Sequence, residues 1–126
     1  MNEADLKRAL VKELNKLSGV FAFRVELPTM IGIPDILANR PPYAAWLEVK
    51  YHRPGSKWRL TDRQALLLGR LRGFLVTYVQ EKDGEKWVQV EEYPRPGAIS
   101  EVTAERGWLG AHKHVARVIA IARLRY

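Results

Sequence analysis

Leu6, Leu10, Leu14 and Leu17 recur at helical spacing, and with Asn2 placed as an N-cap, Asp5 in the first turn and Gly19 as a stop they predict a helix over residues 3–17. At about 100° per residue, Glu13 falls inside this apolar stripe, roughly 20° from Leu6 and about 40° from Leu17. A carboxylate in that position asks for a partner. Glu3 projects into the same arc but sits in the first turn, where it complements the helix dipole and reaches water.

The pattern then changes period. Residues 20–27 are aromatic and β-branched up to Pro28 and predict a strand; after a turn through Gly32 and Pro34, residues 35–38 begin a second. Asn39-Arg40-Pro41-Pro42 interrupts it, and residues 43–51 read as a third strand, hairpin-paired with the second. A basic loop over residues 52–60 leads to Thr61-Asp62-Arg63-Gln64, a capping-box pattern that opens a helix through Arg72, ended by Gly73. Residues 74–82 and 85–93 are strand-like around the hairpin signal Asp83-Gly84. After the break at Pro94-Arg95-Pro96-Gly97, Trp108, His112, Val115, Ile119 and Ala122 keep helical spacing, although Val118 to Ile121 also suits a strand. The expected order is helix, three strands, helix, two strands and a basic C-terminal element. That mixture is α/β or α+β.

At 126 residues one domain is expected, with residues 1–93 as its core and 98–126 as an addition for dimerisation, DNA contact or covering the sheet. Hydrophobic residues at 47% and charged residues at 28% exclude a disordered or membrane-spanning chain. The N-terminus carries charge rather than a secretory apolar run, and there is no cysteine, so the expected address is the cytoplasm, or a host's cytoplasm for a viral chain. The lack of cysteine also removes thiol nucleophiles and cysteine-type zinc sites.

Charge sharpens the picture further. The net +7 is concentrated in residues 51–72, where Arg53, Lys57, Arg59, Arg63, Arg70 and Arg72 face one acid, Asp62. A local basic excess favours a polyanion. Arg53, Lys57, Arg59 and Arg63 with Trp58 among them suit phosphate contacts plus a stacking aromatic; the plainer alternative is a solvated loop with Trp58 in the core. Arg70 and Arg72 belong to the outer face of the helix. A membrane surface fits less well, since no basic amphipathic helix with a bulky apolar face stands out. His112 and His114, without further ligand-type neighbours, read as surface or phosphate-contacting residues rather than a metal pair.

Candidate chemistry lies on the second and third strands. Glu48 and Lys50, two apart, point to the same face, and Asp35 at the head of the neighbouring strand lies beside them if the two are antiparallel. Glu13, aimed from the first helix at the sheet, adds a third carboxylate. Such a group repels itself unless a divalent cation joins it, and hard oxygen donors suit Mg²⁺, with Mn²⁺ as a substitute. Lys50 is then placed to orient or deprotonate a water, or to stabilise a phosphate transition state. Phosphate-binding glycine loops, dinucleotide fingerprints and a nucleophile elbow are all missing.

Taken together, Glu13, Gly32-Ile33-Pro34-Asp35, Glu48-Val49-Lys50 and Gln64 resemble the PD-(D/E)xK nuclease superfamily, most closely its VRR-Nuc domains and small Holliday-junction resolvases, over residues 3–82. The resemblance implies a restriction-endonuclease-like fold: a central mixed sheet flanked by helices, with an α-β-β-β-α-β core. It implies metal ligation by Glu13, Asp35, Glu48 and the Val49 carbonyl, a catalytic Lys50, and Gln64 near the water or metal. The capping box explains Gln64 equally well. The implied activity is Mg²⁺-dependent endonucleolytic cleavage of DNA, structure-selective on branched substrates and performed by a homodimer. A nuclease without junction selectivity (nicking, flap or restriction-like) and an inactive nucleic-acid-binding module are the alternatives.

Overall fold

Asn2 and Asp5 each accept the other's backbone N–H in a side-chain hydrogen bond, at 2.9 and 3.0 Å, and this capping box starts helix α1 (Glu3–Asn15). A cap of this kind contributes about 1 kcal/mol. The remaining elements are β1 (Phe21–Arg24), β2 (Ile36–Arg40), β3 (Tyr43–His52), α2 (Asp62–Arg70), β4 (Phe74–Gln80), β5 (Lys86–Glu92), β6 (Ala98–Thr103) and α3 (Trp108–Arg123). The computed structural model describes residues 2–56, 60–95, 97–105 and 107–126.

The six strands form one sheet in the order β1-β2-β3-β4-β5-β6. All neighbours are antiparallel except β3 and β4, which run parallel because α2 carries the chain back between them. The fold is therefore α/β with a mixed sheet, and α1 through β4 follow the expected α-β-β-β-α-β order. Leu47 and Val49 of β3, Phe74, Val76 and Tyr78 of β4 and Val88 and Val90 of β5 meet Leu6, Leu10 and Leu14 of α1 and Val115 and Ile119 of α3 on one face. Glu48 and Lys50 project from the other face of β3, against which α2 packs. No helix among the described residues is long and apolar enough to cross a membrane.

Three departures from expectation have local causes. First, β1 ends at Arg24 because its partner β2 begins opposite it at Ile36, leaving only a single backbone bond from Val25 to Asp35, 2.8 Å. The outer edge of β1 is covered by Asn15, whose amide both donates to and accepts from the Ala22 backbone at 2.9 and 2.7 Å. Second, residues 98–103 form β6, an edge strand held by its pairing with β5.

Third, residues 98–126 supply β6 as well as the expected cover for the sheet: α3 lies over it with Trp108, Val115, Ile119 and Leu124 buried, while Leu109 and Ile121 stay exposed. Trp108 stands edge-on to Tyr51 and Tyr78, with centroids 6.2 and 5.3 Å away. One Arg40 Nη1 donates to the carbonyls of Leu124 and Arg125, at 3.1 and 2.7 Å, and holds the end of α3 against β2. The two histidines are also placed otherwise than expected. His112 is buried and shares a 2.9 Å hydrogen bond with the Tyr78 hydroxyl, and burial lowers its basicity; His114 pairs with the Ser100 hydroxyl. His112 lies on the face of α3 turned toward the sheet, whereas His114, two residues on, is half-buried and points to β6.

Candidate active site

The site arises where β2 stops short. Ile36 is opposite Leu47, so Asp35, one residue earlier, comes to lie beside Glu48, while β3 continues alone to His52 on that side. The amides of Val49 and Tyr51 would be unpaired on this vacated edge. Two carboxylates take them instead: Asp35 Oδ2 accepts the Val49 N–H at 2.9 Å, and Glu3 Oε1 accepts the Tyr51 N–H at 3.1 Å. A strand residue sends its N–H and C=O to the same edge, so the Val49 carbonyl leaves on the side of Asp35.

Glu48 is 3% exposed and hydrogen-bonded to Asp35. Burial first, then the bond to Asp35 and its charge, push the Glu48 carboxyl up to about 9, against the pull of Lys50 and Lys7. Lys7, one turn along α1 from Glu3, completes the cluster: its Nζ lies 3.0 Å from Asp35 Oδ1 and 3.9 Å from Glu3 Oε2.

Glu13 is not part of this cluster. It is 6% exposed, binds Lys16 at 2.9 Å and acts electrostatically on His112 of α3. Glu3 and Glu13 share an angular sector of the helix but stand about 15 Å apart along its axis. The end of β2 meets the first turn, so Glu3 is the helix carboxylate at the site. Among the described residues no three His, Asp or Glu side chains converge on one point, and the expected trio becomes the Asp35–Glu48 pair with Glu3 further along the β3 edge.

Gln64 accepts the Thr61 N–H at 3.0 Å through its side-chain oxygen, while its own N–H donates to the Thr61 hydroxyl; the capping role accounts for it. Arg63 donates from Nε to the Ile31 carbonyl at 3.0 Å. Its side chain lies over Gly32, where a Cβ would come 2.7 Å from Arg63 Cγ and where φ is +87°. Arg63 thus clamps the loop that delivers Asp35, and Gly32 is required both for its backbone angle and for the close approach. Arg53 is exposed and stacks over Tyr51, 5.6 Å from the ring centroid. Lys57, Trp58 and Arg59 lie outside the described residues.

Glu3 and Lys7 were not among the residues expected at the site. Their spacing of four was the available signal, since it places an acid and a base on one side of the first two turns.

The donor set fits a small hard cation. Two carboxylates held within hydrogen-bonding reach, with a backbone carbonyl on the same edge, suit Mg²⁺ or Mn²⁺, which takes one or two carboxylates and fills its shell with water and phosphate. Burial and Asp35 favour the protonated form of Glu48, and the Lys7 ammonium stands beside Asp35, both in keeping with two carboxyls packed together.

That proton predicts a pH effect on stability in chelator. Between 4.5 and about 9 the folded chain retains a proton that the unfolded chain releases, so Glu48 makes stability fall as pH rises through this window. Glu48→Gln removes the effect and is expected to be more stable than the parent by on the order of 1–3 kcal/mol at pH 8, with little difference at pH 4.5. Thermal melts across pH check this; a constant offset between the two proteins contradicts it.

No protein family model matches this chain, and no curated protein matches it by sequence. Among solved structures it is similar to Hjc of Archaeoglobus fulgidus, a Holliday junction resolvase from an archaeal hyperthermophile, at 17% identity and a TM-score of 0.49, covering 90% of this chain and 98% of that one.

Proposed function

We propose that this chain is a metal-dependent endonuclease that hydrolyses DNA phosphodiesters, selective for branched DNA. The observation that carries this reading is the Asp35–Glu48 pair at the vacated edge of β3, half-buried at Asp35 and buried at Glu48, with Lys50 on the same strand face as Glu48. Asp35, Glu48 and the Val49 carbonyl would hold the cation. Bound there, Mg²⁺ lowers the pKa of a water and neutralises phosphate oxygens.

The chain's own groups do the rest. Lys50 is half-buried and its charge acts on Glu48, which suits an ammonium that orients the attacking water or offsets negative charge on the phosphate. The Val49 amide fixes Asp35 through Oδ2 and so fixes the direction of its other oxygen. Arg63 and Gly32 fix the loop from which Asp35 enters. The basic stretch after β3, with Arg53 exposed beside Tyr51, supports contact with the phosphate backbone. Branched-DNA selectivity rests on the resemblance to small Holliday-junction resolvases and on the chain's small size, not on any one residue. Paired cuts in a two-fold symmetric junction would call for a homodimer.

Four-way junction, flap, single-stranded and linear duplex DNA, each incubated with the protein in Mg²⁺, Mn²⁺ or EDTA, test the reading. Cleavage is expected only with metal, and fastest on the junction. Binding without metal-dependent cleavage on any substrate refutes the enzyme; equal cutting of linear duplex refutes the selectivity.

A further inference from the structure

Lysine side chains ordinarily reach into water, as Lys16 does with 54% of its side chain exposed even while it binds Glu13. Lys7 is different: its side chain is only 16% exposed, and it ends at Asp35 Oδ1, 3.0 Å away, with Glu3 Oε2 at 3.9 Å. Asp35 Oδ2 accepts the Val49 N–H, and Oδ1 carries the Lys7 ammonium, a positive charge beside the carboxylate that a metal ion would also use.

We propose that Lys7 is an internal counter-cation of the Asp35–Glu48 site, occupying Asp35 Oδ1 in the metal-free chain and competing with a divalent ion for it, so that Lys7 sets the metal affinity. This rests on the metal-site reading above. An ammonium 3.0 Å from a carboxylate oxygen and a divalent ion bound to that oxygen are like charges a few ångströms apart in a partly desolvated site, where repulsion is several times stronger than in water. Metal binding must therefore break the Lys7–Asp35 ion pair, and its apparent affinity is lowered by the strength of that pair. Glu3 gives the displaced ammonium a second carboxylate within reach, at the cost of a small side-chain rotation.

Mn²⁺ titration of the full chain without DNA, read by calorimetry and by the electron paramagnetic resonance signal of free Mn²⁺, tests the competition. Lys7→Met keeps the length and apolar stem and removes the charge; it is expected to tighten the Mn²⁺ dissociation constant about tenfold. Lys7→Gln serves as a second neutral variant with the same expectation should the first not fold, and Lys7→Arg is expected to stay within about threefold of the parent. The same neutral variants should melt lower than the parent in EDTA and gain more from saturating Mn²⁺. Unchanged or weaker Mn²⁺ binding in folded Lys7→Met or Lys7→Gln overturns the proposal. Asp35→Asn separates the two levels: if the parent binds Mn²⁺ no better than Asp35→Asn, the metal-site reading fails, whatever Lys7 does.

Discussion

If the chain cleaves DNA as proposed, Asp35→Asn is expected to lower metal-dependent cleavage by about 10³-fold or more, whereas Glu13→Gln is expected to leave it within about twofold. The contrast follows from where the helix meets the sheet. Asp35 touches the Val49 amide, Glu48 and Lys7 at once, so removing its charge would remove the proposed metal ligand and the partner of an ammonium together. Glu13 faces Lys16 and α3, and its loss is felt in packing rather than in turnover. Glu3→Gln is expected between the two, about 10-fold down, because it keeps an acceptor for the Tyr51 N–H but loses charge beside Lys7. Single-turnover cleavage of a labelled junction, with circular dichroism melts to confirm folding, measures all three. Full loss in Glu13→Gln together with an active Glu3→Gln would return the helix carboxylate to Glu13 and contradict the geometry.

The second large effect concerns stability. Trp108→Ala is expected to cost about 3–5 kcal/mol, because the indole is buried at 5% exposure between α3 and the sheet and stands edge-on to Tyr51 and Tyr78. For a chain of this size that is a fall in Tm of about 10–20 °C. Its neighbour Leu109 is 61% exposed, and Leu109→Ala is expected to change stability by less than about 0.5 kcal/mol. Thermal or urea melts of the two variants decide whether residues 98–126 belong to the core. Were α3 instead an exposed dimer element, the effect of Trp108→Ala would depend on protein concentration, which the melts also show.

Local patterns along the chain carry much of this fold. Leu6, Leu10 and Leu14 mark the buried face of α1, Asn2 and Thr61 mark two helix starts, and Asp83-Gly84 marks the turn between β4 and β5, since each depends on neighbours within a few residues. The hairpin of β2 and β3 was also legible from the Pro-rich break between them, and alternation put Asp35 beside Glu48 or Lys50; the register that chooses Glu48 came from the structure. β6 was not, because Ala98 to Thr103 has half-exposed, weakly alternating residues whose strand state depends on β5 being there to pair with.

What the sequence determined by itself is the chemistry available on one strand face: Glu48 and Lys50 two residues apart and Asp35 at the head of the neighbouring strand, all set by the two-residue period of extended backbone. The tertiary structure decided which helix residues complete it. Angular periodicity put Glu3 and Glu13 in one sector of α1, but only the packing of α1 across the sheet, with its first turn against the end of β2, brings Glu3 and Lys7 to the free edge of β3 and leaves Glu13 with α3. The position of a helix along its own axis is set by what it packs against, and its sequence does not encode that distance.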